Sequence, residues 1–114
     1  MDEKEDILIK NAKEFYQNAI GLEKSESYNS AVTLFFKSLA VLGDIFILRN
    51  EKKIPSSHSE RFRILEEKHP DVYNLLDKDF PFYQNSYKLQ LDKETCEVLK
   101  KDVEKLIKLL GITL

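Results

Sequence analysis

Apolar residues recur at helical steps from the start of the chain. Leu8, Ala12, Phe15, Ala19 and Leu22 advance by four, three, four and three positions, so they share one stripe. That spacing predicts a helix over Lys4–Lys24, weakened at Gly21 and broken at Ser25-Glu26-Ser27. A second helix is expected over Tyr28–Arg49, with Ser27 as its N-cap. Its stripe is Ala31, Leu34, Phe35, Leu39, Leu42 and Phe46. Val32, Phe36, Val41, Ile45 and Ile47 widen the stripe almost all round, the pattern of a helix buried among others or against a second subunit.

Past the polar loop that ends on Pro55, a third helix begins near Ser57, because Ser57 and Glu60 have capping-box spacing. Its core residues are Phe62 and Leu65, and it must stop near Lys68, since the residue before Pro70 is pushed out of helical space. Pro70 opens a short fourth helix to about Asp79, with Val72, Leu75, Leu76 and Phe80 inward. Pro81 is expected to end it, leaving 82–91 as an irregular aromatic connector. Asp92 caps a fifth helix that runs to Leu110 and stops at Gly111. Cys96, Leu99, Val103, Leu106 and Leu110 give it the cleanest stripe in the chain. The sum is all-α: an up-and-down antiparallel four-helix bundle with one additional short helix, in a single domain over 1–114.

Composition narrows the function classes. Eighteen basic and 20 acidic residues leave a net charge of -2, so any nucleic-acid site must be local. One cysteine, Cys96, excludes an intrachain disulfide framework and reads as a buried thiol on the core stripe. The acidic start Met1-Asp2-Glu3 is unlike a signal peptide. The stretch 31–48 is apolar but carries Lys37 and Asp44, so it reads as a core helix and not a membrane span. The expected setting is cytoplasmic, without a membrane partner. No His, Cys, Asp and Glu set has metal-site spacing, and no glycine-rich phosphate loop is present, so neither a metal nor a cofactor is expected.

The chemistry gathers in one segment. All three arginines and both histidines lie between Arg49 and His69. Arginine suits phosphate oxygens, and histidine exchanges a proton near neutral pH. Together they could cleave a phosphodiester without metal, a 2'-hydroxyl attacking while His moves the proton and Arg steadies the charge. On that reading Arg49, His58 and Asp44 are the candidate catalytic set, His58 as acid/base and Asp44 orienting. Arg49, Asn50, Lys53 and Arg61 are the candidate nucleotide- or phosphate-binding set. The bland alternative is surface ion pairing of Arg61 and Arg63 with Glu60, Glu66 and Glu67, and a helix-end salt bridge between Asp44 and Arg49. Phe80, Phe82, Tyr83 and Tyr87 either pin the connector to the bundle or stack bases, the first being the commoner use.

The stretches Tyr28-Asn29-Ser30-Ala31-Val32-Thr33-Leu34-Phe35-Phe36-Lys37-Ser38-Leu39-Ala40, Ile54-Pro55-Ser56-Ser57-His58-Ser59-Glu60-Arg61-Phe62 and Phe80-Pro81-Phe82-Tyr83-Gln84-Asn85-Ser86-Tyr87 together resemble the HEPN family of small helical domains. The resemblance runs from Tyr28 to the end of the fifth helix. It implies an up-and-down bundle, a homodimer, and one of several roles: ribonuclease, non-catalytic partner of a minimal nucleotidyltransferase, or nucleotide-binding module. Active members carry an Arg, a polar residue and then a His after four to six intervening positions, often with an acid five before the Arg. Here Asp44, Arg49 and Asn50 fit that pattern, but eight residues separate Arg49 from His58. The expectation is therefore a dimeric nucleotide- or RNA-associated binding module beside a nucleotidyltransferase subunit. A metal-independent endoribonuclease of toxin or defence type is the first alternative, and a helical scaffold unrelated to nucleotides the second.

Overall fold

The computed structural model describes residues 3–113, so Met1 and Asp2 of the acidic start, and Leu114, lie outside it. Its first helix, α1 (Glu3–Lys24), opens on Glu3, Glu5 and Asp6 and closes on Lys24, charges that suit the two ends of the helix dipole. Ala12 and Ala19 are completely buried. Their small side chains let α2 (Tyr28–Glu51) fold back close along α1, and the buried Ser38 hydroxyl donates to the Ala12 carbonyl at 2.9 Å. Ser27 occupies the N-cap position of α2, but its side chain makes no capping bond; it shares a 3.3 Å hydrogen bond with the Ser25 hydroxyl. The helix runs two residues beyond the expected Arg49 and ends with Lys52 in left-handed conformation.

α2 is the centre of the bundle. It packs against each of α1, α3 (His58–Lys68), α4 (Pro70–Asn85) and α5 (Lys93–Leu110). Phe35, Leu39, Leu42, Ile45 and Ile47 are fully enclosed, so the broad apolar face of α2 is taken up within the chain. By length and composition it is also the one helix among the described residues that could cross a membrane, yet most of its apolar window is buried inside the protein. A Cβ at Gly43 would lie 3.3 Å from Leu76 Cδ2, a close approach that draws α4 onto α2.

The fold is all-α, five helices with no strand among the described residues. The short element is α3, with 11 residues, and not α4. α4 passes through Pro81 and ends at Asn85, so the expected stop there is corrected. Proline removes one backbone bond, and the exposure of Pro81 and of Asp77 leaves the freed carbonyl to water. Phe80, Phe82 and Tyr83 pack on the core around the proline and keep the segment helical. The rest of the connector is tied down by Asn29. Its amide donates to the carbonyls of Ser86 (2.9 Å) and Leu89 (2.6 Å), and its oxygen accepts from the Leu91 N–H (2.9 Å).

Caps close α3 and α5 as the sequence predicts. The Ser57 hydroxyl accepts from the Glu60 N–H at 3.1 Å, and the Glu60 carboxylate reaches back to the N–H of Ser56, one residue before the cap. Asp92 accepts from the Thr95 N–H, and Gly111 terminates α5 at φ +68°. One feature breaks the apolar rule. Asp79 on α4 is fully buried, and neither of its oxygens has a hydrogen-bond donor among the described residues. Lys78 Nζ lies 2.9 Å from Asp102 on α5 and 3.8 Å from Asp79, bridging the two acids from the exposed side. Burial, then the neighbouring Asp102, push the Asp79 carboxyl up to about 9, so at neutral pH it carries a proton that it can donate to Asp102.

Candidate functional site

Asp44 is an acid on the most apolar helix of the chain, and it is buried. A carboxylate there requires a partner. The partner is Arg61 of α3, whose Nε and Nη2 donate to the two Asp44 oxygens at 2.7 and 2.9 Å. Both side chains are nearly enclosed, 7% exposed for Asp44 and 12% for Arg61. Burial pushes the Asp44 carboxyl up, and the Arg61 guanidinium pulls it back down. The two-pronged bond fits the carboxylate form, since both oxygens accept.

Arg61 also reaches His58, one turn earlier on the same face of α3. Its Nη1 lies 2.7 Å from His58 Nδ1. A guanidinium only donates, so Nδ1 must be the acceptor and Nε2 must carry the ring hydrogen. Burial and the adjacent Arg61 charge both hold the imidazole below its ordinary pKa, against a smaller pull from Asp44. His58 is thus a neutral ring held in one tautomer. It rests on Phe36, Phe80 and Tyr83, with ring centroids 6.3, 5.6 and 6.0 Å away. Phe36 and Tyr83 stack on each other at 4.9 Å.

These groups border a cleft of about 240 Å³ whose wall includes Phe15, Lys37, Val41, His58, Arg61 and Tyr83. Its donors are chemically distinct. Lys37 is exposed and offers a charge. His58 offers Nε2–H. Arg61 has two N–H groups left after its three bonds to Asp44 and His58. The Tyr83 hydroxyl sits 3.2 Å from that of the exposed Tyr87. Such an array sets hydrogen-bond donors of the kind an oxyanion accepts from beside an apolar ring surface. No family model, curated protein or solved structure matches this chain.

The candidate residues separate into two places. Asp44, His58 and Arg61 come together. Arg49 does not join them: its Nε and Nη2 donate to Glu5 of α1, and its Nη1 to the Leu110 carbonyl at the end of α5. Five residues turn a helix by about 140°, so Asp44 and Arg49 face different neighbours. The expected pairing of Arg49 with His58 is thereby replaced by Arg61 with His58. Asn50 donates back to the Phe46 carbonyl of its own helix, and Lys53 lies in the exposed loop before α3. The second histidine, His69, is apart from the cleft, 3.2 Å from Glu51 and edge-on to Phe46. Lys37, Phe15 and Phe36 also border the cleft, and each reads from sequence as an ordinary helix residue. The three-residue step from His58 to Arg61 was the available signal. Among the described residues no group of three or more His, Cys, Asp and Glu could hold a metal ion.

Proposed function

We propose that this chain is a non-catalytic binding module for a phosphate-bearing ligand of the nucleotide or RNA class, held in the cleft between Lys37, His58 and Tyr83. One observation carries the reading: Arg61 donates to His58 Nδ1 at 2.7 Å. A ring locked in that way is a hydrogen-bond donor through Nε2. To act as a base it would have to take a second proton beside a guanidinium, which like charges oppose. Asp44 already balances Arg61, so Lys37 supplies the attraction for one anionic group. The cleft is below the roughly 300 Å³ at which small-molecule sites begin, enough for a phosphate and the edge of its sugar. The resemblance to HEPN domains supports the ligand class, and with it a role beside a nucleotidyltransferase subunit.

The test is calorimetric titration with a nucleoside monophosphate and with a short RNA at low salt. Binding should weaken about tenfold in His58→Ala, roughly the 1.4 kcal/mol of one hydrogen bond. It should weaken further with salt, and should be lost in a Lys37→Glu variant. Incubation of RNA with the protein in excess chelator should leave the RNA intact. Cleavage that persists in chelator and vanishes in His58→Ala would replace this reading with the ribonuclease one. Absence of binding to either ligand would favour the helical scaffold.

A further inference from the structure

A different face of the molecule carries a second recess. The N-terminal half of α4 and the C-terminal half of α5 diverge around a groove of about 550 Å³, floored by Val72, Leu75 and Leu106. Leu109 stands beside it with 60% of its surface in water. Lys105 and Lys108 rise from the α5 wall, one turn apart on the same face, and Asp71 stands on the α4 wall. All three are exposed, and none has an ion pair among the described residues. The groove is short. Its lining runs from Asp71 to Leu75 on one helix and from Lys105 to Leu109 on the other, roughly 6 Å of each axis at about 1.5 Å per residue. One turn further along, Lys78 of α4 bridges to Asp102 of α5 at 2.9 Å, and the lining stops short of that bridge.

We propose that this groove binds a medium-chain fatty carboxylate, its tail on the apolar floor and its head between Lys105 and Lys108. Size points to a small molecule. The volume falls in the range of small-ligand sites, about 300–1,000 Å³. A partner helix anchored at i, i+4 and i+7 needs roughly 10 Å of groove, more than these walls offer. Charge and polarity point to the class. The floor is aliphatic, and the lysine stems extend it while their ammonium groups stay in water. Two cations without ion-pair partners complement one carboxylate. Asp71 across the groove repels that carboxylate, so the head is turned to α5 and the tail to Val72 and Leu75 of α4. A cationic amphiphile would meet two ammonium groups against one acid. The groove shares no residue with the cleft around His58, so this inference stands apart from the phosphate-ligand reading.

The experiment titrates the whole chain with hexanoate, octanoate and decanoate below their micelle concentrations at pH 7, by calorimetry and by amide NMR shifts. Shifts should gather at 71–75 and 105–109. Each added methylene should tighten binding about fourfold, the ~0.8 kcal/mol of one buried CH₂. The double variant Lys105→Ala, Lys108→Ala should weaken decanoate about tenfold, and Asp71→Asn should tighten it about twofold. Leu109→Glu should abolish binding. All four positions are exposed, so helical circular dichroism should stay unchanged in every variant. Decyltrimethylammonium should bind at least tenfold more weakly than decanoate. The proposal is overturned by no decanoate binding, by shifts confined to the cleft around Lys37 and His58, or by affinity indifferent to the lysines. Equal affinity for the cationic amphiphile would also overturn it. So would a light-scattering mass of twice 13.4 kDa that falls to the monomer in Leu109→Glu, because the groove would then be filled by a second copy.

Discussion

Replacing Asp79 by Asn should make this protein more stable, although Asp79 is among its most buried residues. The acid is fully enclosed, and ionised it has no hydrogen-bond donor. Its folded value is raised from the ordinary 3.8 to about 9. At pH 7 the folded chain must therefore hold a proton that the unfolded chain releases. Holding it costs 1.36 kcal/mol for each pH unit above 3.8, a ceiling of roughly 4 kcal/mol at pH 7. Asparagine has nearly the same shape and no proton to bind. Its amide still needs partners, and roughly 1–3 kcal/mol of the ceiling goes to that. A net gain of about 1–3 kcal/mol remains at neutral pH.

The pH dependence is the sharper part of this expectation. A raised folded pKa means that the stability is whole below the unfolded value and is lost as pH rises through the folded value. The advantage of the Asn variant should thus be absent near pH 4 and should grow toward pH 9. Urea unfolding followed by circular dichroism at pH 4.5, 7 and 9 measures it directly. A variant less stable at all three, or a difference that does not change with pH, would refute the reasoning.

Two further outcomes follow from the ion pairs. Asp44→Ala should cost about 3–5 kcal/mol in urea unfolding, because it leaves the Arg61 guanidinium buried without its carboxylate. Arg49→Ala should cost less, about 1–2 kcal/mol, since Arg49 is about one-third exposed but gives up both its pair with Glu5 and its bond to the Leu110 carbonyl. In an NMR titration His58 should change charge below the ordinary 6.5, and Arg61→Gln should move it upward by removing the adjacent cation. Because the folded value is depressed, this histidine supports the fold above its unfolded pKa and withdraws that support as pH falls toward the folded value.

The helices were legible wherever two signals agreed. Asp92, the stripe from Cys96 to Leu110, and Gly111 describe α5 completely. At Pro81 one local rule stood against packing, and packing prevailed because Phe80 and Tyr83 reach the core from a continuous helix. The site was half legible. Asp44 and His58 stood out by chemistry, a carboxylate in an apolar helix and a histidine near arginines. Their common partner was hidden, because spacing from Asp44 suggests Arg49 while the loop after Glu51 brings Arg61 instead. Contact across a loop depends on where α3 packs, and no local pattern encodes that. Lys37 was equally silent, since an exposed lysine on a core helix is unremarkable until a cleft opens beside it.

The hydrogen bonds of Asn29 have a consequence for motion. Ser86, Leu89 and Leu91 are all fastened to one side chain on the most deeply buried helix. When Asn29 lets go, its three attachments are released together; while it holds, the Leu91 amide is closed to solvent exchange. Two side chains near the start of α2, Asn29 and Thr33, thus couple the opening of a loop more than fifty positions away in sequence to that helix.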